Sequence, residues 1–185
     1  CSVQTGRNYL IMYFTKQKRL MSVRVDSIVK VTPLDVVADY DTYYRYYEDN
    51  RRFLWGTSFG KSRRYGQKEH IHMEIAVDEA KEMYVVKRLE REKRSGTVTK
   101  KSDGLYAFDI DLFDANEAFP WIKTFIGRIV AFETTNEELQ DKFDSDIARL
   151  YEYTEVLTNE TVFGNLQHLL QHNGENPEKT HCHKG

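Results

Sequence analysis

Arg24 and Asp26 stand two residues apart in a stretch that alternates, with Val23, Val25, Val29 and Val31 pointing one way and Arg24, Asp26, Ile28 and Lys30 the other. Residues two apart on a strand share a face, so this spacing sets a guanidinium beside a carboxylate. A guanidinium is a planar donor fork that fits phosphate, and Asp26 would orient it. The same spacing also makes an ordinary surface ion pair, which contributes little to stability. Tyr9 lies on the preceding apolar run, where it offers a stacking ring or a hydroxyl near Arg24.

A second group is the cluster Tyr40, Tyr43, Tyr44, Tyr46 and Tyr47, followed by Arg51 and Arg52. Tyrosines can stack bases while arginines meet a phosphate backbone. At helical spacing they also simply pack an amphipathic face, which is the reading favoured here. Arg63 and Arg64, in a basic stretch between Gly60 and Gly66, join Arg51 and Arg52 as candidate nucleic-acid contacts. The densest basic run is Lys87, Arg88, Arg91, Lys93, Arg94, Lys100 and Lys101. It reads as a nucleic-acid footprint or, slightly better, as solvated cations near a helix C-terminus.

Histidines offer less. His168 and His172 sit at i, i+4 with His181, Cys182 and His183 beyond, but no CxxC or HExxH spacing exists, so no metal centre is expected. His70 and His72 share one strand face, read as the solvent face. No P-loop, GxGxxG or GxSxG elbow occurs, and nothing pairs a nucleophile with a base; no catalytic residue, cofactor or enzymatic activity is expected.

The elements that must position these residues follow from periodicity. Tyr9–Phe14 is a continuous apolar, β-prone run. Thr15–Leu20 connects it to an alternating strand over Ser22–Thr32, giving a hairpin that ends before Pro33. Tyr40, Tyr43, Tyr44 and Tyr47 lie on one face of a short helix within Asp39–Leu54. After the glycine-bearing basic stretch, Ile71, Met73, Ile75 and Val77 alternate in a strand. Asp78 then caps a helix from Glu79 to about Lys93. Gly96–Lys101 and the alternating Tyr106, Phe108, Ile110 and Leu112 flank an Asp103-Gly104 turn. A helix near Pro120 carries Ala118, Trp121, Ile122 and Phe125 on one face and ends at Gly127. Arg128–Glu133 is the last strand. Thr135–Glu138 reads as a capping box for a final helix with Leu139, Phe143, Ile147, Leu150 and Leu157 on one side.

Composition bounds the class. Among 185 residues, 40% are hydrophobic and 30% charged, as in an ordinary globular protein. No apolar run is long enough to cross a bilayer, and no signal-peptide pattern opens the chain. The two cysteines, Cys1 and Cys182, stand at opposite ends, so a reducing cytoplasm is expected and the sequon Asn159-Glu160-Thr161 carries no weight. The net charge of -2 hides a split: residues 1–102 hold 21 Lys and Arg against 13 Asp and Glu, and residues 103–185 hold 6 against 16. A basic first half could meet phosphate; helices exposing charged faces would give the same split.

Gly6-Arg7-Asn8-Tyr9-Leu10, followed by Val23-Arg24-Val25-Asp26-Ser27-Ile28, resembles the core of the WYL domain. That family is named for a Trp-Tyr-Leu tripeptide opening one strand, and its next strand carries a Phe-Arg-Leu-Asp-Arg-Ile signature. Here Tyr9 and Leu10 match the tripeptide with Asn8 in place of Trp; Arg24, Asp26 and Ile28 match the second motif. Phe53–Gly60, the block from Glu69, Trp121 and the closing helix look like the extension that often follows a WYL domain. Val23 and Ser27 replace an aromatic and an arginine, and Met21 stands where another arginine is common, so any phosphate pocket has fewer cations.

The resemblance implies an α+β fold. Residues 1–55 would form part of an Sm- or SH3-like β-barrel with the tyrosine-rich helix, and 56–68 a basic linker. Residues 69–157 would form a ferredoxin-like β-α-β-β-α-β extension, and 158–185 an amphipathic segment with a disordered tail. It further implies a bacterial transcriptional regulator's sensing module, in which Arg7, Tyr9, Arg24 and Asp26 bind a nucleotide or single-stranded nucleic-acid ligand. Such a module is expected to be a homodimer without membrane attachment, acting on DNA through a helix-turn-helix not present in this chain. A direct single-stranded nucleic-acid binder and a ligand-free dimerisation module are the alternatives.

Overall fold

The computed structural model describes residues 6–14, 16–33, 35, 39–60 and 65–153. Strands β1 (Tyr9–Phe14) and β2 (Arg19–Arg24) form an antiparallel hairpin whose register runs from Tyr9 opposite Arg24 to Phe14 opposite Arg19. The connection has no glycine, and Lys18 itself takes the left-handed conformation the turn requires, at φ 49°.

The strand expected over Ser22–Thr32 stops at Arg24. Val25–Ser27 is a single 3₁₀ turn, and Ile28–Pro33 continues outside any strand. Local hydrogen bonding competes with the ladder here. The Asp26 carboxylate folds back on Arg24, the Ser27 hydroxyl donates to the Arg24 carbonyl at 2.7 Å, and the Ile28 N–H donates to the Val25 carbonyl at 3.2 Å. Asp26 therefore does not share a strand face with Arg24; it reaches back from the turn. Val29 and Val31 are left 99% and 75% exposed.

Helix α1 (Tyr40–Asn50) is followed by a 3₁₀ turn over Arg51–Phe53. Of the stretch expected as a linker from residue 56, Phe59 is buried, as is Trp55 just before it. Leu20 from the hairpin, Phe59 and Phe113 form a core that Ile11, Tyr13, Tyr47, Phe53, Leu54 and Tyr65 pack against. The Phe113 N–H also donates to the Phe53 carbonyl at 2.9 Å. Burying apolar surface from both sequence regions is what joins them.

From Glu69 the elements follow the expected order: β3 (Glu69–Ala76), α2 (Glu79–Glu92), β4 (Thr97–Ser102), β5 (Leu105–Leu112), α3 (Phe119–Ile122) and β6 (Ile129–Thr134). The strands form a four-stranded antiparallel sheet in the order β4-β5-β3-β6. Period-two alternation decides its two faces. Ile71, Met73 and Ile75 with Tyr106, Phe108, Ile110 and Leu112 are buried, whereas His70, His72, Glu74, Asp109 and Asp111 occupy the opposite face.

Asp78 caps α2 as expected, its carboxylate accepting from the Ala80 N–H at 3.0 Å, and α2 buries Val85, Val86 and Leu89. The helix expected around Pro120 is one α turn between 3₁₀ turns at Ala115–Glu117 and Lys123–Arg128. Helix α4 occupies 137–153. Its cap is Asn136, whose side-chain oxygen accepts from the Leu139 N–H at 3.1 Å. Thr135, expected to cap it, instead accepts the His70 N–H at 2.8 Å. Leu139 and Phe143 are buried, Leu150 is 45% exposed, and Leu157 lies outside the described residues. The chain divides into one compact unit over residues 1–140 and another over 141–185. No helix among the described residues is long and apolar enough to cross a membrane.

Candidate ligand site

Period-two geometry puts Tyr9, Ile11 and Tyr13 on one face of β1, and their partners Arg24, Ser22 and Leu20 on the same face of β2. The tyrosine side of α1 lies against the Tyr13 end. Between them is a cleft of about 370 Å³ lined by Ile11, Tyr13, Leu20, Tyr40, Tyr43, Tyr44 and Tyr47. Tyr13 and Tyr43 stack with ring centroids 3.8 Å apart and planes at 17°. Tyr40 and Tyr44 stack at 5.9 Å. Leu20 closes the floor; its N–H, which points away from β1, donates to the Tyr65 hydroxyl at 2.7 Å. Burial pushes the Tyr65 hydroxyl up to about 12, so it stays protonated.

At the other end of the face Arg24 meets Asp26 in a two-point ion pair, Nε to Oδ1 at 2.9 Å and Nη2 to Oδ2 at 2.6 Å. Both side chains are open to solvent, 44% and 56% exposed. The hydrogen bonds from Arg24, with a contribution from the charge of Arg7, hold the Asp26 carboxyl below the usual carboxylate range. Asp26 in turn raises Arg24, through the hydrogen bonds first and its charge second. Arg7 and Arg24 thus both act on Asp26, and Tyr9 stands opposite Arg24 across the hairpin. From Tyr9 to Tyr13 the strand advances four residues, about 13 Å. An aromatic cleft and a guanidinium fork therefore stand on one face, separated by roughly the length of a nucleotide or two.

The remaining candidates go elsewhere. Arg51 pairs with Glu48 at 3.2 Å, and Arg52 lies over the Phe53 ring at 4.7 Å. Arg63 and Arg64 lie outside the described residues, as do His168, His172, His181, Cys182 and His183. In the basic run, Arg88 bonds Glu92 and covers Phe125, while Arg91 bonds Glu92 and Lys93 bonds Glu90. Arg94 lies over Trp55 at 4.6 Å, where burial lowers its pKa, and Lys100 pairs with Glu79 and Asp103. Each of these five cations has a carboxylate or an aromatic ring as a local partner.

The open face of the sheet carries a row of alternating groups. His70 Nδ1 is 2.9 Å from Asp111 and its Nε2 is 3.6 Å from Asp109; His72 Nδ1 is 2.7 Å from Asp109 and its Nε2 is 3.5 Å from Glu74. The hydrogen bond that His72 makes to the Asp109 carboxylate raises the His72 pKa, against partial desolvation. With three carboxylates beside its two imidazoles, this row is a poor platform for phosphates. Among the described residues, no group of three His, Cys, Asp or Glu side chains is placed to hold a metal ion.

Sequence reasoning nominated Arg7, Tyr9, Arg24 and Asp26 and took Ile11, Tyr13 and Leu20 only as parts of strand and turn. The signal for Tyr13 was its even spacing from Tyr9. Tyr65, 45 residues from the backbone group it meets, had no local signal. No family model, curated protein or solved structure matches the chain.

Proposed function

We propose that this chain is the sensing part of a WYL-type transcriptional regulator, which binds a nucleotide or single-stranded nucleic acid on the hairpin face and acts by binding rather than by catalysis. The observation that carries the reading is the shared face: a stacking cleft at Tyr13 and Tyr43 and a phosphate fork at Arg24 lie on one side of one hairpin. A base enters the cleft beside the already stacked Tyr13–Tyr43 pair, and Arg24, with Arg7 nearby, meets the phosphate. In this reading the hairpin is part of an Sm- or SH3-like barrel, and the strand order β4-β5-β3-β6 supports a ferredoxin-like extension. The regulator is a cytoplasmic homodimer, and the ligand biases DNA binding by a helix-turn-helix outside this chain. Such a bias requires different ligand affinity in two arrangements.

The test is fluorescence anisotropy with labelled single-stranded DNA and RNA at low and moderate salt. Binding should weaken about tenfold or more in both Arg24→Ala and Tyr43→Ala, since base stacking and a charge-assisted contact are each of that order. Equal binding by all three proteins would remove the site. A ligand-free dimerisation module is favoured by the exposed Val29 and Val31. It predicts no binding at low salt together with a dimer by analytical ultracentrifugation that Val29→Asp disrupts.

A further inference from the structure

The phosphate fork of Arg24 is already filled. Both oxygens of Asp26 occupy two of its donors, in the two-point geometry a phosphate would use. Resting on the reading above, we propose that Asp26 is a built-in competitor for the ligand's phosphate, and that its displacement undoes the 3₁₀ turn and returns Val25–Ser27 to extended backbone.

Three observations lead there. The pair is exposed on both sides, so it is weak enough for an incoming anion to replace. Among the described residues, the turn's hydrogen bonds besides that pair include the Ser27 hydroxyl on the Arg24 carbonyl and the Ile28 N–H on the Val25 carbonyl. The turn also interrupts a sequence made for a strand. Val25, Ile28, Val29, Val31 and Thr32 are β-branched, and the Val25 N–H still donates to the Asn8 carbonyl at 3.0 Å, one rung past the end of β2. With Asp26 on Arg24 the ladder stops; with phosphate on Arg24 the chain is free to run on. A ligand that binds only the open form shifts the population toward it, and this turns occupancy into a change of backbone.

The experiment compares the wild type with Asp26→Ala, Arg24→Ala and the charge-matched control Asp49→Ala. Affinity is read by anisotropy with fluorescein-labelled oligodeoxythymidine, and the backbone by NMR chemical shifts of residues 25–27 without ligand. Asp26→Ala should bind several-fold tighter than both the wild type and Asp49→Ala. Arg24→Ala should bind weakly, yet both Asp26→Ala and Arg24→Ala should show extended shifts over 25–27, because either change removes the latch. Turn-like shifts retained in both variants overturn the proposal, as does an Asp26→Ala affinity no better than that of Asp49→Ala. If no protein binds the oligonucleotide while both variants still become extended, the ligand reading fails and the latch stands. If Arg24→Ala weakens binding and Asp26→Ala fails to tighten it, the site stands and the competitor role falls.

Discussion

At the scale of single residues, Glu117 organises more backbone than any local pattern suggests. Its carboxylate accepts the N–H groups of Gly56, Thr57 and Ser58 at 2.9 to 3.2 Å. Three donors converging on one anion leave three orphans if the anion is lost. Glu117→Ala should therefore cost about 2–3 kcal/mol of stability in urea unfolding, more than a surface carboxylate would. His72 gives a pH prediction with a definite sign. Its pKa is raised in the folded state, chiefly by Asp109, so the stability it contributes is fully present below its unfolded value of 6.5 and is lost as pH rises through the folded value. The urea midpoint should fall between about pH 6 and pH 8, and Asp109→Asn should flatten that fall. The Arg24–Asp26 pair was legible because two residues apart is a local relation. Glu117 was not, since its partners stand about sixty positions upstream and only the packing of β5 and the 53–60 segment brings them together.

At the scale of elements, β3 and β5 could be read directly because one face is buried and the other wet, which stamps a period of two on the sequence. Asp78 announced α2 for a similar reason: an N-cap is a one-residue device. The strand end at Arg24 was illegible, since the alternation runs on to Thr32 while a side-chain contact overrides it. The one-position error at the α4 cap has the same origin: Thr135 is drawn to the His70 N–H, leaving Asn136 to cap. The β4–β5 hairpin supplies a test of turn chemistry. Gly104 takes φ +72°, and a Cβ there would sit 2.9 Å from the Val77 carbonyl oxygen. Gly104→Ala should lower stability by about 1–2 kcal/mol, measured by the thermal midpoint, with the fold retained.

At the scale of the whole molecule, the first compact unit joins two sequence regions that composition would separate. Trp55 and Trp121 lie 4.8 Å apart, and Leu20, Phe59 and Phe113 form one core across the glycine-bearing stretch. Tryptophan fluorescence and far-UV circular dichroism should therefore report a single coincident transition in urea; two separated transitions would show that the hairpin and the sheet unfold independently. Gly56 and Glu117 also carry an evolutionary consequence. A Cβ at position 56 would lie 2.5 Å from the Glu117 carboxylate oxygen, so any side chain there evicts the anion. Natural variants of this chain should treat the two sites as one inherited character: lineages that keep Glu117 keep Gly56, and those that lose one are released to change the other.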